Sequence, residues 1–221
     1  FQGSCMKNIA SCIDHTLLQP TAKQADIIKL CQEGHDWGCA SVCVHPCYVQ
    51  LAAKQLVGSL CKVTTVIGFP LGMQHQRVKV FETEQALADG ADEIDVVINI
   101  GAVKDKSYQL VFDELCSIRQ IAAFHIMKVI IETAYLTDSE KHKVCQLILD
   151  SGADFVKTST GFAPSGATFE DVHLLRTIVG TKIGVKASGG IRNLEIAQGM
   201  IQAGASRLGC SHTQAILFGA N

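Results

Sequence analysis

The stretch EIDVVINI (93–100) alternates: Ile94, Val96 and Ile98 share one parity, and Glu93, Asp95 and Asn99 share the other. Successive strand side chains point to opposite faces, so this is a strand with one apolar face and one face bearing carboxylates. Working outward, seven more short runs have the same character: SCIDHTLL (11–18), ASVCVHP (40–46), KVTTVIGFP (62–70), IMKVIIET (126–133), DFVKTST (154–160), KIGVKAS (182–188) and ASRLGCS (205–211). Helical patterns such as RVKVFETEQALADG and DSEKHKVCQLILDSG separate them. In ADGADEI, DSGADFV and QAGASRL a glycine precedes the next strand, where a left-handed helix C-cap is expected.

Eight strands alternating with helices predict parallel pairing, because each crossover needs a helix. A closed (β/α)8 TIM barrel and an open doubly wound sheet both satisfy that pattern. The count of eight favours the barrel, and no glycine-rich dinucleotide fingerprint follows any strand. In a barrel the apolar parity packs against the helices and the other parity fills the lumen. Lumen parity selects Asp14 and Thr16, Cys43 and His45, Asp95, Lys128 with Glu132, Lys157 with Ser159, and Lys186 with Ser188. Barrel interiors are ordinarily layers of aliphatic side chains, so a lumen of converging polar groups predicts a site.

The chain has 221 residues, of which 48% are hydrophobic, and a formal net charge of -2. That suits one domain, expected over residues 6–221. FQGSC (1–5) reads as the remnant of an expression tag, with Met6 the expected native start. The near-neutral balance gives no electrostatic footprint for nucleic acid. No apolar run reaches the roughly 18 to 20 residues of a membrane helix. A small-molecule partner and a cytoplasmic location follow as expectations. The ten cysteines include no C-x-x-C pair, so they read as reduced, packed thiols rather than a disulfide framework or zinc ligands.

Lys157 and Lys186 raise the chemical question. A single lysine in such a strand pairs with a carboxylate or snorkels to the rim. Two at equivalent places on neighbouring strands repel each other, and a water-poor pocket disfavours charge. Both effects push a lysine below its free pKa of about 10.4. A neutral amine attacks a carbonyl to give a Schiff base, and the protonated imine is then an electron sink. Asp95 and the second lysine are the expected proton carriers. Glycine-rich turns follow the last strands. Gly189, Gly190, Gly209 and Ser211 fit a phosphate cradle, where the backbone must approach the anion closely. Two other readings use the same barrel. One is a sugar-phosphate isomerase with Glu132 as its base, and the other a barrel that only binds sugar phosphates.

IDHTLLQPTA, VIGFPLG, GADEIDVVINIGAVK, KVIIET, GADFVKTSTGF and GVKASGGIR together closely resemble the deoxyribose-phosphate aldolase family, over about residues 11–217. The resemblance implies a class I aldolase on a TIM barrel, working with no metal or cofactor. It would reversibly cleave 2-deoxy-D-ribose 5-phosphate to acetaldehyde and D-glyceraldehyde 3-phosphate, in deoxyribose catabolism. It also implies homo-oligomeric assembly. Carried over, Lys157 would form the Schiff base, while Lys186 and Asp95 would tune it and relay protons. Asp14, Thr16, Cys43 and Thr160 would line the substrate pocket; Gly161, Gly189, Gly190, Gly209 and Ser211 would hold the phosphate. Phe162 departs from members with lysine there, which predicts weaker discrimination for phosphorylated substrates. Cys43, facing an aldehyde pocket, is expected to be a site of inactivation at high aldehyde concentration.

Overall fold

A computed structural model describes residues 9–219; the tag reading of residues 1–5 and the start at Met6 lie outside them. Eight parallel strands close into a barrel in sequence order. They are β1 (Ile13–Leu17), β2 (Ser41–Val44), β3 (Lys62–Ile67), β4 (Glu93–Val97), β5 (Ile126–Ile130), β6 (Phe155–Lys157), β7 (Gly184–Ser188) and β8 (Arg207–Cys210). The helices are α1 (Gln24–Trp37), α2 (Val49–Gln55), α3 (Gln76–Ala88), α4 (Ile100–Lys104), α5 (Tyr108–Ile121), α6 (Asp138–Ser151), α7 (Phe169–Val179), α8 (Leu194–Ala203) and α9 (Thr213–Phe218). Each strand falls inside a run expected from the alternation, and most stop before the run does. In β3, β4 and β5 all of the excess lies at the C-terminal end, and after β5 the backbone turns left-handed at Glu132. Those polar ends belong to loops over the lumen.

The expected glycines sit where helices hand over to strands. Gly152 and Gly204 cap α6 and α8 in left-handed conformations, with φ 77° and 119°. At the N-terminus of α6, Thr137 and Glu140 form a reciprocal capping box.

The alternation divides the core into two layers. Ile94 and Val96 of β4, Met127 and Val129 of β5, and Val156 and Val185 point outward into one apolar layer beneath the helices, fully buried. The opposite parity faces the lumen. Register then sets the neighbours there: Asp95 lies beside Lys128, Lys157 beside Lys186, and Asp14 beside Gly209.

Candidate active site

Seven charged side chains converge inside the barrel: three lysines, one arginine and three carboxylates. Lys157 Nζ donates to Asp95 Oδ2 at 2.7 Å, and Lys186 Nζ donates to the same oxygen at 2.7 Å. Lys128 Nζ donates to Asp95 Oδ1 at 2.9 Å and pairs with Glu93 at 2.5 Å. Lys186 also pairs with Asp14, whose other oxygen accepts from Ser41 Oγ and from Arg207, each at 2.7 Å. Arg207 reaches on to Glu93 at 3.1 Å. Charges this deeply placed persist only when paired and hydrogen-bonded, and here Asp95 is the hub for three cations.

The two lysines singled out by sequence differ in electrostatics. Burial pushes the Lys157 ammonium below the ordinary lysine value; Asp95 opposes that, and the Lys186 cation adds to it. For Lys186 burial acts in the same direction, but Asp14 and Asp95 together outweigh it and hold its pKa above the ordinary value. The expectation of a depressed pKa therefore holds for Lys157 and is corrected for Lys186, because a second carboxylate reaches only Lys186. Asp95 is held well below the usual carboxylate range: burial works against this, and Lys128, Lys157 and Lys186 overcome it.

A cavity of ≈ 320 Å³ opens at the C-terminal end of the strands, the usual location of active sites in this fold. Its lining includes Thr16, Lys157, Thr160, Gly161, Gly189, Gly190, Gly209 and Ser211. Lys157 is thus the one lumen lysine on the cavity; Lys128 and Lys186 lie beneath it with 0% exposure. A larger, shallower depression of ≈ 840 Å³ at the opposite end, lined by Asp154, Arg176 and Lys182 among others, contains none of the lumen lysines.

The turns expected to form a phosphate cradle border the cavity. Gly189 and Gly190 are left-handed (φ 84° and 82°), and the space beside Gly190 is open. A Cβ at Gly209 would lie 3.2 Å from Lys186 Cε, so this glycine also makes room for the buried lysine. Arg192 and His212 join the lining, and His212 Nδ1 lies 3.0 Å from Ser211 Oγ.

Asp14 and Cys43, expected to line the substrate pocket, lie deeper in the barrel. Both are fully buried, and neither is among the residues lining the cavity. The Asp14 carboxylate is taken up by Lys186, Ser41 and Arg207. Burial, reinforced by Asp95, pushes the Cys43 thiol up to about 11, which leaves little of the nucleophilic thiolate near neutrality. Thr16 does face the cavity, with its hydroxyl bonded to the Asp14 carbonyl at 2.8 Å.

Sequence reasoning left Glu93, Arg207, Ser41 and Thr64 without a role. All four join the charge layer; Thr64 Oγ donates to Ser41 at 2.8 Å and to Glu93 at 3.1 Å. The parity rule had placed Glu93 on the lumen face of β4, and applied to β2, β3 and β8 it was the available signal for Ser41, Thr64 and Arg207. Among the described residues no group of three or more His, Cys, Asp or Glu is arranged to hold a metal ion.

Residues 7–218 match the DeoC/LacD family aldolase pattern. The chain belongs to the DeoC/LacD aldolase family. It is 52% identical over 214 residues to a deoxyribose-phosphate aldolase of Clostridium perfringens, covering 96% of each chain. It is likewise 52% identical over 214 residues to that of Caldicellulosiruptor saccharolyticus, covering 96% of this chain and 97% of the relative. Among solved structures, an aldolase called QR15 superposes with a TM-score of 0.91 at 42% identity, over 95% of this chain and 94% of the other. A tetrameric deoxyribose phosphate aldolase from Aeropyrum pernix superposes with a TM-score of 0.91 at 33% identity, over 98% and 94%. The family match spans β1 to α9 and so takes in every residue of the charge layer.

Proposed function

We propose that this DeoC/LacD family chain is a class I deoxyribose-phosphate aldolase with Lys157 as its Schiff-base residue. One observation carries the assignment: of three buried lysines sharing Asp95, only Lys157 both lines the cavity and is held below the ordinary lysine pKa. Its amine adds to the C1 aldehyde of open-chain 2-deoxy-D-ribose 5-phosphate, and loss of water leaves a protonated imine. The C3 hydroxyl gives up its proton as the C2–C3 bond breaks. That electron pair passes into the imine to form an enamine, and D-glyceraldehyde 3-phosphate departs. Protonation of the enamine at C2 and hydrolysis release acetaldehyde and regenerate the amine. Lys186 and Asp95 carry the protons, because Asp95 Oδ2 bridges Lys186 to Lys157 at 2.7 Å on each side.

Thr16 and Thr160 border the bound substrate, and Gly161, Gly189, Gly190, Gly209 and Ser211 face its phosphate. No described helix is long and apolar enough to cross a membrane. The nine described cysteines are free thiols, which supports a cytoplasmic location. The tetrameric Aeropyrum pernix relative supports assembly of this chain as a homo-oligomer.

The test is borohydride trapping with acetaldehyde, followed by peptide mass mapping. A single reduced adduct on Lys157 is expected, and Lys157→Leu should abolish it and lower turnover by at least about 10³-fold. An adduct on Lys186 would reverse the assignment. No specific adduct in folded protein would remove the class I mechanism.

A further inference from the structure

Glu132 stands where β5 leaves the barrel, and the proton chemistry above does not use it. Its backbone is left-handed, with φ 54° and ψ 71°, and it is 2% exposed. Outliers of this kind persist where surrounding contacts over-determine them, and they concentrate at functional sites. Here the side chain supplies the contacts. Both carboxylate oxygens accept from the Thr160 N–H, at 3.2 and 3.3 Å, and Oε2 also accepts from the Thr160 hydroxyl. The next residue, Thr133, donates its N–H to the Thr158 carbonyl at 2.9 Å, so the ends of β5 and β6 are joined twice.

The chain of contacts continues outward from Thr160. Its Oγ accepts from the Phe162 N–H at 3.1 Å. The hydroxyl proton is therefore committed to Glu132 and a lone pair to Phe162. The Phe162 ring meets Phe69 edge-on at 5.4 Å, and Phe69 meets His45 at 6.0 Å. Thr160, Gly161 and Phe162 all line the cavity together with Lys157.

We propose that Glu132 is a positioning residue: through Thr160 it fixes the turn at 160–162, so that the Phe162 ring and the Gly161 backbone form one wall of the cavity. The wall sets how an acceptor aldehyde lies against the enamine, whereas imine formation on Lys157 does not depend on it. The same arrangement turns the Glu132 carboxylate toward Thr160 and away from an isomerase role. This inference rests on reading the cavity as an aldolase site.

Glu132→Ala tests it well, because alanine meets the same left-handed backbone restriction and the change isolates the carboxylate. In the synthetic direction the KM for D-glyceraldehyde 3-phosphate should rise about tenfold with kcat little altered. Borohydride trapping of acetaldehyde on Lys157 should proceed as in the parent. Glu132→Gln keeps an oxygen acceptor for Thr160 and should restore KM to within about twofold. Glu132→Gly relaxes the backbone without the clamp and should behave like the alanine variant. Glutamine as damaging as alanine, glycine as good as the parent, or a loss of trapping with KM unchanged would each overturn the proposal. If the Glu132 variants do not fold, Thr160→Val removes the hydroxyl's bonds to Glu132 and to the Phe162 N–H and should raise KM, while Thr160→Ser keeps the hydroxyl and should hold KM within about twofold; equal KM values for valine and serine overturn the clamp. Failure of the parent protein to trap acetaldehyde would instead sink the aldolase reading itself.

Discussion

Two buried lysines on opposite sides of the barrel wall make an instructive pair. Lys79, on α3 outside the strands, is fully buried, donates to the Val97 carbonyl at 2.8 Å and pairs with Glu114 at 2.7 Å. Lys157, inside the strands, is 4% exposed and pairs with Asp95 at 2.7 Å. Burial, the largest cause in each case, depresses both pKa values, and a partnering carboxylate pulls against it in both. A depressed lysine is therefore no mark of chemistry by itself. Lys79 ends in a fully buried layer between helix and strand. Lys157 ends at a cavity and has a second cation, Lys186, behind its carboxylate.

The contrast can be tested through the second cation first. Lys186→Met removes a charge that disfavours protonation of Lys157 and leaves Asp95 and Asp14 with one cation fewer, so the Lys157 pKa should rise. Imine formation needs the neutral amine, and so increases as pH rises through that pKa. Its midpoint in the parent lies below the ordinary lysine value, and in the variant it should move up. Each unit of movement costs about tenfold in rate at neutral pH. Trapping rates measured across pH would show this, and an unmoved or lowered midpoint would break the electrostatic account.

Lys79 should respond in the opposite manner. Lys79→Met strands Glu114 in an apolar layer and should cost about 3–5 kcal/mol of stability, while borohydride trapping in the folded fraction stays unchanged. Adding Glu114→Leu should return much of that stability, since a packed apolar pair often replaces a buried ion pair at little cost. Denaturant titration of the single and double variants checks both points. A large change in trapping for Lys79→Met would erase the distinction between the two lysines.

The smallest effect concerns Cys43. With its thiol buried and pushed up to about 11, brief treatment with iodoacetamide near neutral pH should leave it unmodified, while the exposed Cys47 reacts. Peptide mapping distinguishes the two positions. Prompt alkylation of Cys43 in folded protein would mean that the cavity reaches deeper than Lys157.

Much of this was legible before any coordinates. Alternation in EIDVVINI and its counterparts located the eight strands and sorted Asp14, Cys43, Asp95, Lys128, Lys157 and Lys186 onto the lumen face, because parity along a strand is a local property of the backbone. Gly161, Gly189 and Gly190 after β6 and β7, and Gly209 in β8, stood out because glycine lets the backbone approach an anion closely. What parity could not give was depth. Asp14 and Thr16 share a face, yet Thr16 lines the cavity and Asp14 lies beneath it. Glu93 and Arg207 are far apart in sequence, and only barrel closure brings them within 3.1 Å.

The sequence by itself thus determined the repeating β/α pattern, the polar lumen and the small group of lysines among which the proposed Schiff-base residue lies. Only the tertiary structure separates the lumen lysines from one another, by which of them reaches the cavity and by the charges around each. A pKa depends on burial and on charges gathered from distant strands: Asp14 beside Lys186 raises one amine, and Lys186 behind Asp95 helps keep the other low. Those distances exist only once β1 has closed against β8.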